Sequence, residues 1–123
     1  MEYPPVFLYA AASPAVTAIL GAPPAMRFWP AGHAKQESAR PYATHGLVVA
    51  VPENTLSCPP SVDKFSLQID CFAKDWSAAW ALMGALRSAL EPDGYINTID
   101  IDEWDNPTGL YRVSFSVDFW QER

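Results

Sequence analysis

Cysteine, histidine, glycine and basic charge are all scarce in this 123-residue chain. The two cysteines, Cys58 and Cys71, are too few for a disulfide framework. Two free thiols in a reducing compartment is the natural reading. No run approaches roughly 18 uninterrupted apolar residues, which excludes a membrane-spanning helix. The start of the chain lacks a basic segment, and its apolar stretch is broken by Pro4, Pro5 and Pro14. It therefore does not read as a secretory signal. The six glycines are scattered, and neither G-x-x-x-x-G-K nor G-x-G-x-x-G occurs, so no phosphate loop of either kind is present. Eight basic residues stand against fourteen acidic ones, a net charge of −6. An acidic surface repels phosphates and is unsuited to binding nucleic acid over a broad face. It remains suited to guiding DNA past itself without adhesion.

What is abundant is apolar: half of the residues are hydrophobic and 13% are aromatic, enough to fill one core. The length fits a single domain over residues 1–123. Pro4 and Pro5 suit a helix start, and residues 6–12 read as helical. Ser13-Pro14 reads as a new N-cap and first helical residue, so the helical region is kinked or split there. Val16, Ile19 and Leu20 share a face, and Gly21 is a stop. Residues 26–29 read as a short strand or extended arm, and residues 31–40 as a polar loop. Residues 42–51 read as a strand closed by Pro52, and residues 52–61 as a proline-rich loop.

Residues 62–73 carry the clearest alternation. Phe65, Leu67, Ile69 and Cys71 fall on one face, and Ser66, Gln68 and Asp70 on the other, as in a sheet with one buried face. Asp75 reads as the N-cap of a helix running to about Leu90. Its stripe contains Trp76, Ala79, Trp80, Met83, Leu86 and Leu90, which assigns both tryptophans to the core. Pro92-Asp93-Gly94 is a turn. Residues 96–104 alternate again, with Ile99 and Ile101 opposing Asp100 and Asp102. Residues 105–109 form a turn. Residues 110–120 form a second amphipathic strand with Tyr111, Val113, Phe115, Val117 and Phe119 inward, pairing with its predecessor as an antiparallel hairpin. The predicted fold is α+β: a largely antiparallel sheet of about five strands with two helical regions packed on one face, in the order α-β-β-β-α-β-β.

The acidic run Asp100, Asp102, Glu103 and Asp105 is the most tempting chemical feature. Two residues apart on a strand, Asp100 and Asp102 are expected to project from one face, where carboxylates can bind Mg²⁺ or Ca²⁺. The spacing fits no calcium loop, and a solvated face that discourages edge pairing is the reading taken. His33 and His45 lie in or beside the irregular region after Trp29, with no nucleophile and acid arranged around them. Both are read as surface or loop-packing histidines. Cys71 is expected to be an inert buried thiol. Cys58 has no basic sequence neighbour to depress its pKa. Two cysteines and two histidines lack zinc-finger spacing. No catalytic, cofactor or metal residue is assigned. Trp29, Trp104 and Trp120 end their strands, where they can mark an interface or cap a small core.

Taken in order, these features resemble the tail-completion, or tail-terminator, proteins of long-tailed bacteriophages. The resemblance runs over nearly the whole chain. A helix leads to Arg27-Phe28-Trp29-Pro30, similar to that family's basic–aromatic–proline step. Pro41-Tyr42-Ala43 opens a strand, and Asn54-Thr55-Leu56-Ser57 precedes the long strand. That strand holds Gln68-Ile69-Asp70-Cys71-Phe72-Ala73, followed by an alanine-rich helix and by Tyr111-Arg112-Val113-Ser114-Phe115.

The resemblance implies a structural virion protein and not an enzyme, with no cofactor. It implies a homo-hexameric ring at the head-proximal end of the tail tube. The ring ends tube polymerisation, offers a head–tail joining surface in the neck, and lets DNA pass through its lumen without specific binding. The implied partners are the chain itself, the tail-tube protein and the head–tail connector protein. No membrane is involved, and assembly occurs in the host cytoplasm. A cyclic ring needs two different patches per subunit. The expected inter-subunit contacts are basic and aromatic residues Arg27, Trp29, Lys35 and Arg40 against acidic Asp100, Asp102 and Asp105, whose complementary charge would set register. The expected tail-tube or connector contacts are Glu53, Asn54, Thr55, Leu56 and Ser57, in a loop stiffened by proline. Another neck, connector or tail-tube component is the alternative within assembly. A small metal- or ligand-binding enzyme built on the acidic strand is the alternative of another class.

Overall fold

The computed structural model describes residues 3–31, 41–53, 62–105 and 109–122. Helix α1 (Val6–Ala11) ends because Pro14 has no N–H to continue the ladder; Ser13 N–H turns back to the Ala10 carbonyl instead. Helix α2 (Pro14–Leu20) starts there, with Ser13 Oγ accepting from Val16 N–H at 3.4 Å. Gly21 stops it with φ +88°, a conformation glycine adopts without steric cost. A turn containing the cis Pro23–Pro24 peptide leads to the short strand β1 (Phe28–Pro30). Strands β2 (Tyr42–Glu53) and β3 (Val62–Ala73) follow, then helix α3 (Trp76–Leu90), capped by the Asp75 carboxylate on Ala78 N–H at 2.8 Å. Strands β4 (Tyr95–Asp105) and β5 (Leu110–Glu122) complete the chain.

The five strands lie in the order β1-β2-β3-β5-β4. All neighbours are antiparallel except β1, which runs parallel to β2, so the sheet is mixed. The fold is α+β, as predicted, and the helical region splits at Pro14. β3 occupies the predicted span, with perfect burial alternation along it. Its inward side chains Phe65, Leu67, Ile69 and Cys71 meet Val113, Phe115, Val117 and Phe119 of β5. The helices supply Val6, Val16, Leu20, Leu82, Leu86 and Leu90 from one side. At roughly 1.5–3 kcal/mol per fully buried large apolar side chain, this single layer of helix on sheet is the main favourable term.

Three expectations change. β2 does not stop at Val51 but runs through Pro52, which pairs with Asp63. β1 covers only Ala43, Thr44 and His45, so beyond them β2 is an edge among the described residues, and an edge tolerates a residue lacking an N–H. The strict alternation of β4 fails, because register shifts insert Asn97 and Asp100 as extra residues against β5. The stripe on α3 is displaced: Leu82 is fully buried, whereas Trp76 is half-exposed and Trp80 only partly buried.

Candidate functional site

The displaced stripe and the bulged strand meet. In β4, Ile99 pairs with Phe115 on the core side. The extra residue at Asp100 then turns Ile101 towards Ser114 on the outer face and Asp102 towards Val113 on the helix side. The two aspartates therefore do not share a face, and the expected cation pair is not formed. Asp100 accepts from Ser116 Oγ at 2.6 Å and also from the Thr98 hydroxyl. Asp102 instead accepts from the indole N–H of Trp76 at 3.5 Å and of Trp80 at 3.4 Å. The two rings lie 6.0 Å apart, tilted by 50°. Partial burial, then the hydrogen bond to Asp102 and its charge, push the Tyr111 hydroxyl up from its ordinary pKa. Trp104, opposite Tyr111 in register, is half-exposed beside this cluster.

Among the described residues no helix covers the opposite sheet face, which is organised by Asp70. Its Oδ1 accepts from Gln68 Nε2 at 2.9 Å, from Arg112 Nη2 at 3.2 Å and from the Ser114 hydroxyl. Tyr42 stacks on Phe72 at 4.9 Å, and the Arg112 guanidinium lies 6.0 Å from the Phe72 ring centre. Further along, Asp118 accepts from Ser66 Oγ at 2.7 Å and pairs with Lys64 at 3.8 Å, while Lys64 stands over Trp120. Beyond β1, the edge of β2, open among the described residues, exposes Leu47, Val48, Val49 and Val51.

The predicted contact residues are placed unevenly. Arg27 is engaged within its own chain: Nε donates to the Pro41 carbonyl at 2.9 Å and Nη2 to the Ile19 carbonyl at 2.8 Å. Trp29 tilts against Tyr42 at 6.0 Å on the outer face. Asp105 ends β4 and Glu53 ends β2. Lys35, Arg40, Asn54, Thr55, Leu56 and Ser57 lie outside the described residues, as do His33 and Cys58. The site residues that periodicity missed are Trp76 and Trp80. Their paired spacing one turn apart, with a carboxylate in the run that follows, was the available signal.

His45 is not a surface residue. It sits on the inner side of β2 at 8% exposure, edge-on to Phe28 and bonded through Nδ1 to the Tyr3 hydroxyl at 2.8 Å. Burial lowers its pKa to about 4, so it is neutral at physiological pH. Burial raises the Tyr3 hydroxyl. The two line a shallow pocket with Pro30, Ala31, Gly46 and Leu47. Cys71 is fully buried, and burial, followed by the charge of Asp70, raises its thiol pKa, which makes it inert. Among the described residues no group of three or more His, Cys, Asp or Glu side chains gathers to hold a metal ion. No described helix is long and apolar enough to cross a membrane.

No curated protein matches the chain at a significant level. The family model described as "Tail completion protein gp17" matches residues 5–122, which spans every helix and strand above. The chain therefore belongs to this family of phage tail completion proteins, as a structural component of the virion tail.

Proposed function

We propose that the chain closes into a homomeric ring on the head-proximal end of the tail tube. There it ends tube polymerisation and presents the surface to which the head joins. The observation that carries this reading is the family match over residues 5–122. The structural role of the family also favours a non-enzymatic protein. The fold supplies a physical reason for ring formation. Among the described residues the two sheet edges are unlike: the β2 edge is apolar and open beyond His45, and the β4 edge is bulged, acidic and aromatic. Unlike edges favour head-to-tail contacts, which close into a ring when the rotation between subunits allows it. The remaining parts of the proposal are contact with the tail-tube protein through residues 53–57, contact with the connector on the other side, and an acidic surface past which DNA slides. Assembly then takes place in the host cytoplasm.

The test is light scattering on the purified protein, followed by negative-stain imaging with and without tail tubes. Closed rings, or rings on one end of each tube, are the expected result. Open-ended polymers of the protein alone would instead identify a tube subunit. A monomer that leaves tubes uncapped would overturn the reading.

A further inference from the structure

Exposed apolar side chains are not scattered over this chain. Among the described residues, Leu47, Val48, Val49 and Val51 gather on β2, and Tyr95, Ile99 and Trp104 on β4, with Trp76 beside it. Of the large exposed apolar residues described, only Tyr3, Leu8 and Trp120 lie on other segments. β4 is one outermost strand of the sheet, and among the described residues β2 is the other wherever β1 does not cover it. Gathered apolar surface of this kind marks an interaction site. Two unlike sites on opposite edges suit a head-to-tail contact between identical subunits.

Strand register aligns the two sets. Tyr95 pairs with Asp118, Asp118 with Ser66 and Ser66 with Val49, so Tyr95 and Val49 end the same row across the sheet. Ile96 and Leu47 end the next row, through Val117 and Leu67. Ile99 and His45 end another, through Phe115 and Ile69. The same pairings make β4 antiparallel to β2. A neighbour that continues the sheet without stagger therefore brings Tyr95, 63% exposed, to Val49 on the Asp70 face. It brings Ile99 to the shallow pocket that His45 and Leu47 line on the helix side. The acids Asp102 and Glu103 fall instead on the rows of Ala43 and Tyr42, so neither is desolvated against the aliphatic edge. β1 ends on the row of His45, and there an approaching β4 must turn aside. The extra residue Asp100 sits at that row, and a bulge is the local device that bends a strand. Val48 and Asn97 are also extra residues, and Pro52 lacks an N–H, which prevents a long ladder between copies and leaves side-chain burial as the main attraction. We infer that residues 47–51 of β2 pack against Tyr95 and Ile99 of β4 from a second copy of this chain. This rests on the ring reading and names the contact that sets the ring's register.

A disulfide trap in the full chain tests this, with Cys58→Ser removing one thiol and Cys71 inert by burial. Chains carrying both Val49→Cys and Tyr95→Cys are oxidised in the assembled state, with and without tail tubes. They should give a covalent ladder of multimers on a denaturing gel, and either new cysteine alone should give none. In sedimentation velocity, Val49→Asp and Tyr95→Ala should each weaken self-association by roughly tenfold or more. Leu8→Ala, on α1 and outside both sets, should change it little. Unchanged melting temperatures, expected at exposed positions, separate these effects from misfolding. Rings that form without a ladder overturn the contact and leave the ring reading standing. Dimers from a single-cysteine variant also overturn it, because the contact is then between like edges. Variants that self-associate normally but no longer cap tubes overturn it in favour of the tube protein as occupant. An unaltered chain that forms no ring, with or without tubes, overturns the ring reading itself, and the inference falls with it.

Discussion

Asp100 and Asp102 stand two residues apart on β4 and on opposite faces of the sheet, the first bonded to Ser116 and the second to the indoles of Trp76 and Trp80. The extra residue in β4 separates their roles, so alanine substitutions should read out differently. Asp102→Ala is expected to shift the Trp76 and Trp80 indole N–H signals in a two-dimensional ¹H–¹⁵N spectrum. Asp100→Ala should leave those two signals in place and perturb Ser116. Equal shifts of the indoles in both variants would refute the assignment of faces.

Burial along α3 predicts a contrast in stability. Leu82 is fully buried against the sheet, and Trp76, although much larger, is half-exposed. Leu82→Ala should cost roughly 2–5 kcal/mol in urea unfolding, from lost transfer energy and the cavity left behind. Trp76→Ala should cost about 1 kcal/mol or less, in the range of surface changes. The reverse order would mean that the first turn of α3 is covered in the free protein.

These two contrasts also mark how far the sequence was legible. β3 could be read to its exact ends because one strand paired on both sides, with one face buried, imposes its period of two on every residue. Ser13 and Asp75 announced their helices because a cap acts within three residues. The bulges at Asn97 and Asp100 depend on register against β5, a non-local pairing that leaves no local mark. Once those were missed, the face of Asp102 was misassigned. The apolar arc of α3 was visible, but which part of it the sheet covers depends on how the helix is laid across the strands. That is why Trp76 and Trp80 read as core and Leu82 did not. The parallel pairing of β1 was equally silent, since a three-residue strand carries no periodicity.

Two glycines should respond oppositely to alanine. A Cβ on Gly94 would stand 2.7 Å from Phe119 Cε1 and 2.9 Å from Val117 Cγ2, both buried side chains of β5. Gly94→Ala should therefore destabilise by about 1–3 kcal/mol, as overpacking does. A Cβ on Gly84, inside α3, meets nothing within 4 Å. Gly84→Ala should stabilise by roughly 0.5–1 kcal/mol, because alanine restricts the unfolded chain and favours the helix. Thermal melts of the two variants side by side decide the point.

His45 should make stability depend on pH in a defined window. Its folded-state pKa lies near 4, lowered by burial from the ordinary 6.5. The unfolded chain therefore takes up a proton between about pH 6.5 and pH 4 that the folded chain refuses. The contribution of the neutral, buried ring is fully present above pH 6.5. It is lost progressively as pH falls towards 4, and levels off below that. Carboxylates also titrate near the lower end, so the useful quantity is the difference between the unaltered protein and His45→Phe. Phenylalanine fills the space beside Phe28 and Tyr3 without a titrating group, at the loss of the Tyr3 hydrogen bond. Urea unfolding from pH 7.5 to 4.5 should show the unaltered protein losing more stability than the variant, with the excess loss starting near pH 6.5. Parallel curves across that range would mean that the ring protonates freely in the folded state, and that the space between Tyr3 and Phe28 admits water.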